Sequence, residues 1–168
     1  MTMPRLNRAF AIALIAILSG CSTIAPETQS IGRSAARVPV YMLNADVTRE
    51  TIDKTICIPD YTASVRPRTS YTNAVKSKFV REAGLSPSEA GRYELDHVIP
   101  LALGGHPRSI HNLALQHWDG DDGAKRKDRL ERMLQRMVCA RRIDLVNAQE
   151  TIYTDWRAAY RRYVAGRE

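Results

Sequence analysis

Cysteine is scarce in this chain, with three in 168 residues. No two of them stand in a Cys-x-x-Cys pair, which removes the usual thiolate zinc arrangement. Long hydrophobic runs are missing too: the longest, residues 9–18, is ten residues, too short to span a bilayer as a mature helix. There is no internal repeat and no low-complexity tract, which excludes solenoids and arrays. Acidic residues run short towards the C-terminus. Residues 124–168 carry 12 basic and 6 acidic side chains, whereas residues 21–123 carry 11 and 12. The formal charge of +7 is therefore concentrated after residue 123, apart from Arg5 and Arg8. A basic surface attracts polyanions such as nucleic acid, and also anionic lipid headgroups. A solvated helix face is the plain alternative.

The N-terminus does not read as part of the fold. Arg5 and Arg8 precede the apolar run, which ends in Leu18-Ser19-Gly20-Cys21. This resembles a bacterial lipobox, which implies a signal peptide over residues 1–20 and a lipidated Cys21. Ser22, rather than Asp, after the cysteine implies by the same resemblance the outer membrane on its periplasmic side. The expected location is thus the cell envelope, with a membrane contact through the lipid anchor. Residues 21–45, poor in large apolar side chains, are expected to be a flexible tether, and 46–168 a single domain. Cys57 and Cys139 remain, and in an oxidising compartment they suggest one disulfide; two buried thiols are the alternative.

The pattern along the domain predicts an α+β fold. Residues 47–62 lean towards β, and Val65-Arg66-Pro67-Arg68 reads as extended. A helix is predicted over 71–83, and Ser86-Pro87-Ser88-Glu89 is a capping box opening a brief helical turn. Residues 93–99 alternate like a strand, 100–105 form a glycine-bent loop, and 112–116 suit a second short strand. A helix is predicted from about Asp122, with Leu130, Met133, Leu134, Met137 and Val138 as its apolar stripe. A last helix is predicted over 144–164, with Leu145, Ala148, Ile152, Trp156, Ala159, Tyr160 and Tyr163 inward.

The chemistry concentrates in one stretch: Glu94, Asp96, His97, Gly104-Gly105, then Asn112-Leu113, then Asp119, Asp121 and Asp122. A carboxylate beside an imidazole, with more carboxylates downstream, is what metal-assisted phosphodiester hydrolysis requires. A downstream carboxylate joining Asp96 would make one hard, oxygen-rich site, which favours Mg²⁺ or Mn²⁺ over Zn²⁺. Arg66 and Arg68, and Lys125 and Arg126 after the acidic turn, are the candidate phosphate contacts. Lys127 and Arg129 either join them or serve as ion-paired structural residues. Trp118 is open to stacking on a base, while Trp156 falls on an apolar stripe.

Asp96-His97-x-Ile99-Pro100-Leu101-x-x-Gly104-Gly105 followed by Asn112-Leu113 resembles the HNH endonuclease motif, a ββα-metal finger. The wider chain is similar to small exported bacterial HNH-type proteins in its Val65–Thr72 segment, its Lys127-Asp128-Arg129-Leu130-Glu131 run and Asp155-Trp156. The resemblance implies an HNH finger flanked by helices and a metal-dependent endonuclease acting on DNA outside the cytoplasm, with RNA as an alternative substrate. It implies Asp96 as ligand of one divalent cation, His97 as general base and Asn112 as the residue pinning the loop. Products would be 5′-phosphate and 3′-hydroxyl ends. The family's further metal-side residue, usually His or Asn, falls at Asp121, which leaves Asp121, Asp122 and His117 as alternatives for the second ligand. The competing expectation is an inactive envelope module that binds DNA or another polyanion.

Overall fold

Seven apolar side chains of two long helices, Leu130, Leu134, Val138, Leu145, Ala148, Ile152 and Ala159, form the centre of the core. The computed structural model describes residues 37–167. The expected signal peptide, Cys21 and the tether up to residue 36 lie outside the described residues. From residue 37 the chain already packs, since Val38 and Met42 are core residues and Leu43 bridges to Gly105. The expected tether boundary at 45 is therefore corrected: two well-spaced apolar side chains suffice to dock this segment.

Helix α1 is Tyr61–Val65, α2 Thr69–Glu82, α3 Pro87–Ala90, α4 Ala124–Cys139 and α5 Leu145–Tyr163. Strands β1 (Tyr93–His97) and β2 (Leu113–His117) pair antiparallel, with Tyr93 opposite His117 and His97 opposite Leu113. The class is α+β, mostly helical with one two-stranded sheet. The segment 47–62 is not β: it is a 3₁₀ turn at Ile52–Lys54, further turns and the start of α1. Ile52 and Ile56 are buried one helical turn apart, so the same apolar residues served a helical period.

The expected capping box opens α3, whereas α2 starts at Thr69 after Arg68 and α4 at Ala124 after Gly123, both without a side-chain cap. Ser86 Oγ accepts the Glu89 N–H at 3.3 Å while Glu89 returns Oε2 to the Ser86 N–H at 2.8 Å. On α4 the buried face is Lys127, Leu130, Leu134 and Val138, spaced three and four residues apart. In α5 the helix breaks at Asp155 (φ −163°, ψ 88°), and Asp155 Oδ1 accepts the Ala158 N–H at 3.0 Å, capping the second half. Cys57 and Cys139 are disulfide-bonded, tying the end of α4 to the turn before α1.

The strand-to-strand connection positions the site. Gly104 adopts φ 77°, a conformation open to glycine, and a methyl group at Gly105 would overlap the Ile99 carbonyl. This close approach is sealed by Asn112, which is fully buried. Its Oδ1 accepts the Ile99 N–H at 2.7 Å, and its Nδ2 donates to Ile99 O at 3.0 Å and His106 O at 3.1 Å. One side chain thus ties both sides of the loop, with both amide hydrogens and the amide oxygen bonded to backbone.

Candidate active site

Strand β1 ends against a cavity of about 360 Å³. Glu94, Asp96 and His97 line it from the strand, and Thr62 and Arg66 from the α1 end. Helix α4 contributes Asp128, Glu131, Arg132 and Gln135, which fall at i, i+3, i+4 and i+7 and so share one face. Neighbouring side chains on a strand alternate between faces, yet Asp96 and His97 both line this cavity at the C-terminal end of β1.

His97 is held neutral. It is buried, and its Nε2 lies 3.1 Å from the Pro107 carbonyl oxygen. A carbonyl can only accept, so Nε2 carries the hydrogen and the neutral ring keeps its free lone pair on Nδ1. Burial holds the imidazole below its ordinary pKa, against the opposing effects of the Pro107 bond and the Asp96 charge; nearby Arg66 lowers it further. The ring is therefore neutral at neutral pH.

Asp96 is committed on both oxygens. Oδ1 accepts the His97 N–H at 2.7 Å, and Oδ2 is 2.8 Å from the Lys127 ammonium. Lys127 also donates to Glu131 Oε1 at 2.6 Å and to the His97 carbonyl at 2.7 Å. Burial pulls this ammonium's pKa down, and the Glu131 and Asp96 carboxylates more than reverse it, so it stays charged. One ammonium among several carboxylates leaves the cluster retaining protons. Burial, then the Asp96 and Asp128 charges, pushes Glu94 up to about 7. Burial also pushes Glu131 up to about 7, against the pull of Lys127.

The other expected residues fall elsewhere. Asp121 pairs with Arg126 at 2.8 Å and Asp122 with Arg157, both carboxylates well exposed. Asp119 pairs with Lys125 at 2.6 Å. The turn before α4, with Gly120 at φ 92°, carries these carboxylates outward, where guanidinium and ammonium groups of α4 and α5 are the nearest partners. Among the described residues, no three His, Cys, Asp or Glu side chains converge closely enough to hold a metal ion. Of the expected set, Asp96 lines the cavity, whereas Asp121 and Asp122 stand with Arg126 and Arg157, so the three carboxylates are not brought together. His117 packs its ring on Tyr93 at 4.0 Å, and His106 Nδ1 accepts the backbone N–H groups of Arg108 and Ser109. Neither lines the cavity.

Of the expected phosphate contacts, Arg66 lines the cavity, while the exposed Arg68 precedes α2 outside it. Lys125 lines a separate surface hollow with Arg92, His117 and Trp118, and Arg126 stands over the Tyr160 ring. Arg132 is a cavity residue that the sequence did not single out. Among the described residues, neither Arg66 nor Arg132 has an ion-pair or hydrogen-bond partner. Two features of the sequence pointed to the α4 residues: a lysine on the register of an apolar stripe, and polar residues at 128, 131, 132 and 135 on the adjoining face. No protein-family model matches the chain, and no curated protein or solved structure matches it.

Proposed function

We propose that this domain hydrolyses phosphodiester bonds of nucleic acid, DNA first and RNA as the alternative, as an HNH-type endonuclease exported to the cell envelope and anchored through Cys21. The observation that carries the reading is His97, neutral and anchored through Nε2, on the wall of a cavity that also holds two guanidiniums, Arg66 and Arg132, without an ion-pair partner among the described residues. A phosphodiester seated there would meet Arg66 and Arg132 through its non-bridging oxygens, whose negative charge grows as water attacks. His97 would take the proton of that water at Nδ1. The P–O3′ bond breaks as the new P–O bond forms, and O3′ takes a proton from solvent, leaving a 5′-phosphate and a 3′-hydroxyl. Asp96 orients the backbone of the base, and Asn112 holds the loop that supplies the Pro107 carbonyl. No step is assigned to a divalent cation, since the donors expected for it do not converge; Mg²⁺, Mn²⁺ and chelator are variables of the assay.

The test is nicking of supercoiled plasmid by the purified protein with Mg²⁺, with Mn²⁺ and with chelator. His97→Ala is expected to slow cleavage by about 10²–10⁴-fold, the usual contribution of a general base. Equal cleavage by wild type and His97→Ala would reject the base. Salt-sensitive DNA binding with no cleavage under any condition would establish the inactive polyanion-binding module instead.

A further inference from the structure

Lys127 stands on the core face of α4, one turn before Leu130, and its side chain is 4 % exposed. A buried ammonium is costly unless its charge and its hydrogens are matched. Here all three hydrogens are matched, by Asp96 Oδ2, Glu131 Oε1 and the His97 carbonyl. The same ammonium therefore grips the carboxylate of one candidate site residue and the backbone of the other. It reaches them across 31 and 30 positions of sequence, so it also joins α4 to the end of β1. The place beside Asp96 that an external cation would take is filled by the chain itself.

We propose that Lys127 is the positioning residue of this centre, supplying from within the chain the positive charge at Asp96 in place of a bound divalent ion. Two consequences follow from the contacts. Removing the ammonium leaves Asp96 and Glu131 facing each other with no counter-charge, a pair that a divalent cation would bridge. It also frees the His97 carbonyl, so the base loses its placement while Arg66 and Arg132, which face substrate, are untouched. The kinetic consequence rests on the function proposed above; the ion-binding consequence does not.

The experiment is a calorimetric Mn²⁺ titration of the full chain as wild type, Asp96→Asn, Lys127→Met and Lys127→Met/Asp96→Asn, with melting curves at each Mn²⁺ concentration. Wild type is expected to show no one-to-one site that Asp96→Asn removes. Lys127→Met is expected to gain one, roughly tenfold or more tighter than any wild-type binding. That gain should raise its Tm and vanish in the double variant. In plasmid cleavage, Lys127→Met should lose about 10²-fold in kcat with KM within about twofold, the signature of a misplaced base rather than lost binding. Tight wild-type Mn²⁺ binding abolished by Asp96→Asn overturns the proposal. So does a folded Lys127→Met that gains no Mn²⁺ affinity. If Lys127→Met folds only with Mn²⁺ present, that supports the proposal; if it folds under no condition, the comparison of wild type with Asp96→Asn decides it. A protein that cleaves nothing rejects the nuclease reading and leaves the titrations to judge Lys127.

Discussion

Asn112 makes three hydrogen bonds from a fully buried position, and each partner is a backbone group. Asn112→Ala orphans all three, so a loss of about 3 kcal/mol or more is expected, read as a lower urea midpoint. The loop it pins also carries Pro107, whose carbonyl holds His97. Cleavage by Asn112→Ala under conditions where the variant is still folded should therefore fall in kcat more than in KM. At this scale much was legible: a buried-type asparagine after a glycine pair, and an Asp-His pair ending a strand. Lys127 was legible only in part. Its sequence neighbours are lysine and arginine, which suggest a solvated basic face. Its burial depends on Asp96 and Glu131 standing opposite, and one of these is contributed by another element.

The β1–α4 contact is where elements set the electrostatics. Glu94 faces the carboxylates of Asp128 and Glu131 as well as Asp96, and burial with these charges raises it from 4.5 to about 7. A carboxyl whose pKa is higher folded than unfolded contributes stability that is complete below about 4.5 and is lost as pH rises through about 7. His97 acts in the opposite window: its lowered pKa costs stability only as pH falls below 6.5. Glu94→Gln keeps the neutral shape and removes the first loss. It should be indistinguishable from wild type in urea unfolding near pH 4 and more stable at pH 8; a difference that does not grow with pH would refute the assignment. The helices themselves were readable because their signals are periodic or local: the Leu130–Val138 stripe and the Ser86–Glu89 box. Residues 47–62 misled because short isoleucine runs suit either period, and only packing decided between them.

For the whole molecule, the disulfide closes a span of 82 residues that contains β1, β2, the pinned loop and all of α4. Cross-linking so long a loop restricts the unfolded chain by about 4 kcal/mol in the chain-entropy treatment. Reduction, or Cys57→Ala/Cys139→Ala, is expected to lower unfolding free energy by up to that amount without moving the cavity residues relative to one another. Chemical denaturation with and without reductant measures it. No helix among the described residues is long and apolar enough to cross a membrane.

By itself the sequence determined what depends on near neighbours: helix faces, the Ser86–Glu89 cap, the glycine bend beside Ile99, and the gathering of Asp96, His97 and Asn112 around one loop. Tertiary structure alone decided which charges meet. It turned Asp121 and Asp122 outward to Arg126 and Arg157, brought Arg132 to Arg66 across the cavity, and set Lys127 against Asp96. The reason is range. Backbone propensity and periodicity act over a turn or a strand, whereas the partner of a buried charge is selected by whichever elements the core packs together.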